Sequence, residues 1–181
     1  WLAVAFAVLA TLWTAFANDG TTDEPMHLAW SRRVLAEGRT ERQSELHFNS
    51  KTPVTVLNQA ARRFARGPLH VRDPRKARLA ARVPGLLWLG VVLAATFRLA
   101  RHCAGPLGAH LATLAVALDP NLIAHSSSAT VDTAYAAATL LTILAALAFA
   151  RRPGPAAGAA LGLALGLAFS TKFTAFLLIP G

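Results

Sequence analysis

Two adjacent carboxylates, Asp23 and Glu24, follow the first apolar run of this 181-residue sequence by a few residues. A carboxylate held at a membrane surface can act as a general base, provided that it lies within reach of the proton that it takes. From the spacing alone, a solvated loop feature explains the pair equally well. The pair is therefore one candidate for catalytic chemistry.

A second candidate is Lys51, which stands just before Thr52 and Pro53. Pro53 favours extended backbone at Thr52 and a helix that begins there. The N-terminus of a helix attracts phosphate, so Lys51 could help to bind one. An ordinary loop lysine is the alternative interpretation.

A third candidate is the polar stretch 119–132, which interrupts apolar sequence and contains His125 and Asp132. Polar residues at membrane depth are costly and usually functional. The serines at 126–128 could instead cap the next helix. Asp132 is harder to explain as a cap, because it falls in the first turn of the apolar run that follows.

Lys172 lies between the last two apolar runs. A lysine at the end of a membrane span often extends its amine to the interface, and this is the alternative to a functional role. If the runs cross a membrane in turn, Lys172 shares one membrane face with Asp23, Lys51 and Asp132. This convergence predicts a site at that face.

The elements that must position these residues are apolar and basic at once, with 54% hydrophobic residues and a net charge of +9. Ala and Leu fill every face of the apolar runs and leave no polar stripe, which favours membrane spans over buried helices of a soluble protein. Long apolar blocks also disfavour nucleic acid as the partner. The runs are residues 1–17, 84–97, 106–118, 134–150, 156–169 and the beginning of another at 173–179.

The loop charges predict an orientation. Basic residues at 98–102 and 151–152 favour the cytoplasmic side for these two loops, and alternation then places 18–83 outside. However, segment 18–83 carries thirteen lysines and arginines against seven acids, so charge alone leaves the topology open. Within it, 25–38 and 54–64 are predicted to be short amphipathic helices that lie along the membrane surface. Both chain ends fall inside apolar runs, so we expect a longer protein whose C-terminal part is missing here.

Five motifs occur in a familiar order. They are Asp23-Glu24-Pro25, Ser50-Lys51-Thr52-Pro53, Arg82-Val83-Pro84, the stretch 119–132 and Ser170-Thr171-Lys172-Phe173. Over nearly its whole length the sequence resembles the protein O-mannosyltransferase family and its bacterial relatives, including aminoarabinose transferases. These are membrane glycosyltransferases with the GT-C fold.

The resemblance implies an all-α, multi-pass membrane protein with a GT-C type helix bundle. Residues 1–17 would be the first span, 18–83 a long outer loop with amphipathic helices, and 84–181 further spans. Such enzymes transfer a sugar, with inversion, from dolichyl or undecaprenyl phosphate to a hydroxyl of a protein, lipid or glycan. Transfer takes place on the non-cytoplasmic face, here of a bacterial inner membrane, and requires no cofactor or metal.

The resemblance also implies roles for individual residues. Asp23 would be the catalytic base, supported by Glu24. Lys51 and Arg82 would contact the lipid phosphate. Further possible site residues are Asp132, His125 and Lys172.

Departures from the family pattern leave the sugar and acceptor open. Ser50 replaces the acid of aminoarabinose transferases, Lys-Thr-Pro stands where mannosyltransferases commonly have His-Pro-Pro, and Val131 replaces the usual Thr. A transporter is the main alternative function, in which Asp132 and Lys172 would line an ion or substrate pathway. A polymerase or ligase that acts on lipid-linked glycans is a third possibility.

Overall fold

The computed structural model describes residues 1–37 and 52–178, and within these ranges the regular secondary structure is entirely helical. A short 3₁₀ helix, Phe173–Leu178, ends the described chain. The α-helices are α1 (Leu2–Ala17), α2 (Glu24–Glu37), α3 (Thr52–Arg66), α4 (Pro74–Ala117), α5 (Pro120–Ser126), α6 (Asp132–Arg151) and α7 (Pro155–Thr171).

The long helix α4 is broken at Gly105, whose φ of 71° lies in the region that favours glycine. The rings of Phe97 and His110 are 5.4 Å apart, although 13 residues of unbroken helix would separate them by about 20 Å. The chain therefore reverses at Gly105. We call residues 74–104 the first arm of α4 and residues 106–117 the second arm.

This reversal refines the predicted boundaries. The apolar runs at 84–97 and 106–118 do lie on separate arms, as the sequence indicated. However, the first arm begins at Pro74, and residues 98–102 are helical rather than a loop. The turn comes later, at Gly105. Glycine can adopt a positive φ without strain, and the proline that follows it cannot continue the preceding helix.

Packing between the arms fixes the direction of each helix. Ala7 of α1 shares a buried cluster with Leu89 and Leu93 of the first arm and Ala117 of the second. Helices α4, α6 and α7 pack side by side, and α1 packs on α4. We call the end of the bundle that holds residues 17–24, 118–132 and 171–172 the polar end, and the opposite end, with residues 98–105 and 151–154, the basic end.

In the described part of the chain, two helices are long and apolar enough to cross a membrane, Pro74–Ala117 and Asp132–Arg151, whereas α1 and α7 are apolar but shorter. The outer face of α1 exposes Leu9, Trp13 and Phe16. A continuous surface of large apolar side chains is typical of a face covered by lipid or another protein.

Helices α2 and α3 cover the polar end, and both confirm helices predicted from the sequence. Val54 of α3 is fully buried against Val131 and Ala134 of the segment that opens α6. The buried face of α2 is polar as well as apolar, since Glu24 and His27 are as buried as Leu28. Its polar groups are buried because α2 covers a polar site rather than an apolar core.

Candidate active site

A buried ion pair lies at the centre of the polar end. Arg82 Nε donates to Glu24 Oε1 at 2.8 Å, and Arg82 Nη2 donates to Glu24 Oε2 at 2.7 Å. Both residues are almost inaccessible, at 1% exposure for Glu24 and 4% for Arg82. This two-point geometry is the strongest that an arginine and a carboxylate can form.

The remaining N–H groups of Arg82 donate to the backbone at the end of α1. Nη1 donates to the carbonyl oxygens of Ala15 and Asn18, and Nη2 donates to that of Asp19 at 3.0 Å. A guanidinium has five N–H groups, and all five are thereby engaged. Arg82 consequently has no N–H free for the lipid-phosphate contact that the resemblance implies, and in this structure it holds the turn between α1 and α2 in place.

Glu24 has two further donors. The backbone N–H of Ala129 donates to Oε1 at 2.7 Å and that of Thr21 to Oε2 at 3.2 Å. Burial alone would raise the pKa of Glu24, but the bonds from Arg82 and Ala129 outweigh it and hold that pKa below its ordinary value. Glu24 is thus an ionised carboxylate that joins three segments of the chain.

A close approach of backbones brings the Ala129 amide to Glu24. A Cβ at Gly85 would lie only 2.1 Å from the carbonyl oxygen of Ser126, so α4 and α5 can touch here only because position 85 is glycine. Asp119 starts α5 by accepting hydrogen bonds from the N–H groups of Asn121 and Leu122. These local features set the path of the polar stretch predicted from the sequence.

Asp23, the predicted base, has the opposite environment to its neighbour. Its side chain is exposed, while its carbonyl accepts from the N–H of His27 one turn later. His27 lies close enough to Asp132 to interact with it electrostatically. Asp23 is therefore a solvent-facing carboxylate next to a rigid anchor, one helical turn before a residue that interacts with Asp132.

A second cluster of charged side chains brings together Asp132, Lys172 and His125, which were all predicted as possible site residues. Lys172 Nζ donates to Asp132 Oδ1 at 2.6 Å, and His125 Nδ1 lies 3.3 Å from Asp132 Oδ2. The Lys172 amine also lies 5.7 Å from the centre of the Tyr135 ring. The side chains remain partly exposed, at 34% for Asp132 and 41% for Lys172. The cluster can therefore offer hydrogen bonds to a ligand.

The serines that precede Asp132 do not cap α6. The N-cap residue is Val131, which forms no side-chain cap, and the hydroxyls of Ser127 and Ser128 donate to the carbonyls of Ala124 and His125. The cap alternative for the serines was therefore wrong. Asp132 does occupy the first turn of α6, as predicted.

A cavity of about 490 Å³ adjoins Glu24 and was not predicted. Three arginines line it, Arg32 of α2, Arg62 of α3 and Arg78 of α4, while Glu24 is the sole acid among its described lining residues. Arg62 Nε is buried and, among the described residues, has no hydrogen-bond partner. Burial, together with the positive charges of Arg66, Arg32 and Arg78, lowers the pKa of Arg62 from its usual value. Such crowding of cations favours an anionic ligand.

The arginine excess of segment 18–83 was the sequence signal for this cavity, but pattern alone could not show which arginines face each other. Lys51, the predicted phosphate contact, lies outside the described residues, immediately before α3. Within 1–37 and 52–178, no three His, Cys, Asp or Glu residues are grouped so that they could hold a metal ion.

The comparisons with known proteins bear on this geometry. A family model described as dolichyl-phosphate-mannose-protein mannosyltransferase matches residues 75–181, more than half of the chain. The chain belongs to this family. It is accordingly a membrane glycosyltransferase of a type that uses polyprenyl-phosphate-sugar donors, which disfavours the transporter alternative. No match was found among curated proteins or among solved structures.

The mannosyltransferase match includes Arg82 and the Asp132 cluster but begins after Asp23 and Glu24. The bonds between Arg82 and Glu24 therefore join the matched part of the chain to the N-terminal part. They make Glu24 a structural component of the family-matched bundle.

Proposed function

We propose that this mannosyltransferase-family protein transfers a sugar, with inversion, from dolichyl or undecaprenyl phosphate to a hydroxyl group. The acceptor hydroxyl belongs to a protein, a lipid or a glycan. The polar end, with segment 18–83, faces the non-cytoplasmic side of a bacterial inner membrane. The chain would form the N-terminal part of a multi-pass GT-C bundle.

The observation that carries this proposal is the arginine-lined cavity beside Glu24, the residue that follows Asp23 in the chain. A sugar phosphodiester needs cations around its phosphate and a base near its anomeric carbon. Arg32, Arg62 and Arg78 supply the cations, and exposed Asp23 supplies the base. Lys51, which precedes Thr52 in the sequence, would add a further contact to the phosphate.

In the proposed reaction, the acceptor oxygen attacks the anomeric carbon from the side opposite the phosphate. The new carbon–oxygen bond forms as the bond to the phosphate oxygen breaks, and polyprenyl phosphate leaves with the electron pair. The proton of the acceptor hydroxyl passes to Asp23. The arginines stabilise the charge that grows on the phosphate.

The other two acidic groups have supporting roles in this proposal. Glu24 and Arg82 hold the turn that carries Asp23, so they are positioning residues. The carboxylate of Asp132, with Lys172 and His125, would bind hydroxyl groups of the sugar or acceptor. Partly exposed hydrogen-bonding groups at an otherwise apolar membrane protein usually serve such contacts.

The first test is Asp23→Asn in the full-length protein. An exposed amide of the same shape leaves the fold intact, and the loss of the base is expected to lower turnover about 10²–10⁴-fold. The measurement is transfer of labelled sugar from polyprenyl phosphate in proteoliposomes. Asp73→Asn is the matched control, because Asp73 is an exposed helix cap and asparagine caps equally well. Wild-type turnover in Asp23→Asn would rule out Asp23 as the base.

The second test separates donor binding from the chemical step. Arg62→Gln is expected to raise the KM for the lipid donor roughly 10-fold or more, since a hydrogen bond to a charged group contributes about 1.5–3 kcal/mol. The neighbouring Arg63→Gln, which removes an exposed charge of the same helix, should leave KM near the wild-type value. Equal effects of the two variants would mean that the cavity does not hold the phosphate.

A further inference from the structure

A second cavity lies at the basic end, between the first arm of α4, α6 and α7. Its volume is about 1080 Å³, and aliphatic side chains such as Val91, Leu144 and Leu163 form most of its walls. No acidic residue is among the described residues that line it. Its basic lining residues are Arg98, Arg101, His102 and Arg151.

The basic residues stand together at one end of this groove. Arg151 Nη2 lies 3.0 Å from His102 Nδ1 and so links the end of α6 to α4. Arg98 and Arg101 are also exposed. The groove therefore has an apolar interior and a positively charged mouth.

The length of the groove matches one leaflet of a membrane. Leu141 and Arg151, at its two ends on α6, are ten residues apart, which corresponds to about 15 Å of helix. The hydrocarbon core of a bilayer is about 30 Å thick, so the groove reaches from the basic end to about the middle of the bilayer.

We propose that this groove binds one anionic membrane phospholipid, with an acyl chain along the aliphatic walls and the phosphate at the basic mouth. The apolar walls exclude a free phosphate as the sole ligand, and three arginines without an acid favour a headgroup with net negative charge. The site is separate from sugar transfer, because it opens at the opposite end of the helices from Asp23 and the arginine-lined cavity.

The experiment uses the full-length protein in nanodiscs of phosphatidylcholine that contain a photoactivatable acyl probe. The probe is either phosphatidylglycerol or phosphatidylcholine with the same labelled chain. Mass spectrometry of the digested protein then locates the labelled residues. We expect the anionic probe to label the groove walls on α6 and α7 at least fivefold more than the neutral probe.

Two variants and a matched control test the charged mouth. Arg98→Gln and Arg151→Gln should each lower labelling by the anionic probe about fivefold, which corresponds to the attraction of one basic residue for an anionic lipid surface. Arg152→Gln removes the same charge from the next residue, which does not line the groove, and should change labelling little.

A third variant tests the apolar walls without altering charge. Ala145→Phe would fill part of the groove and should reduce labelling by both probes, while the melting temperature of each variant checks that it is folded. Equal labelling by the two probes, no effect of the arginine changes, or unlabelled groove walls would overturn the proposal. Displacement of the bound lipid by equimolar undecaprenyl phosphate would also overturn it, because the groove would then belong to the donor.

Discussion

Two of the carboxylate–cation pairs at the polar end, Glu24 with Arg82 and Asp132 with Lys172, have different environments. Glu24 and Arg82 are buried, and every N–H group of the Arg82 guanidinium donates a hydrogen bond. Asp132 and Lys172 are partly exposed. A buried pair costs desolvation and is stable only when its partners are all in place. The first pair is suited to holding the chain, and the second is suited to meeting a ligand.

This difference also separates two adjacent acids. Glu24 faces inward and is committed to Arg82, while Asp23 faces outward. A carboxylate that must accept a proton from a substrate has to be accessible. The difference gives Glu24 a structural role and is consistent with the proposal that Asp23 is the base; the predictions below concern the structural role of Glu24.

The largest expected effect on stability comes from breaking the buried pair. Glu24→Gln leaves the Arg82 charge buried without its partner and should lower the free energy of unfolding by about 3–5 kcal/mol. The double variant Glu24→Gln/Arg82→Met should recover part of this loss. Denaturant unfolding in detergent micelles is the measurement.

The matched control for that prediction is the exposed pair. Asp132→Asn should change the unfolding free energy by at most about 1 kcal/mol, because solvent screens the interaction. A loss at Asp132 as large as the loss at Glu24 would contradict the division between the two pairs.

A smaller effect is expected at the close approach that brings the Ala129 amide to Glu24. Gly85→Ala should force α4 and α5 apart and destabilise the protein by about 1–3 kcal/mol, as overpacking does. Gly90 lies on the same arm, and a Cβ added there would meet no atom within 4 Å, so Gly90→Ala should be neutral or slightly stabilising. The same unfolding assay compares them, and similar results for the two variants would show that the contact is not tight.

The smallest effect concerns pH. Because the pKa of Glu24 lies below its ordinary value of 4.5, its contribution to stability is present above that pH and is lost as the pH falls through the folded-state pKa. In this acidic range the free energy of unfolding of the wild type should fall more steeply with pH than that of the double variant Glu24→Gln/Arg82→Met. The difference in slope should be at most about 1.4 kcal/mol per pH unit. Thermal unfolding at a series of pH values from 7 downwards measures the difference. If the stability of the two proteins changed with pH in the same way, Glu24 would not be held ionised.

Part of this arrangement was predictable because it depends on nearby residues. The apolar runs on α1, α4, α6 and α7, the helices at 25–38 and 54–64, and the place of Asp132 in the first turn of α6 all follow from local hydropathy and polar interruptions. The meeting of Asp132 and Lys172 was also predictable in outline, since alternating spans return both residues to the same end.

The turn at Gly105 and the arginine-lined cavity were harder to predict from the sequence. Helical periodicity continues through residues 98–102, so it could not show that the chain reverses only at Gly105. The cavity requires Arg32, Arg62 and Arg78 to come together from three helices. An excess of arginine predicts basic surface but not which side chains share it.

The sequence by itself determined that this protein is apolar, basic and helical, and it named Asp23, Glu24 and Arg82 as candidates. Only the tertiary structure decided which acid is buried and what Arg82 holds. The reason is that Glu24 is fixed by Arg82, 58 residues away, and by the Ala129 amide, 105 residues away. Hydropathy and helix caps are local properties, whereas burial of a charge depends on partners that only the folded chain brings together.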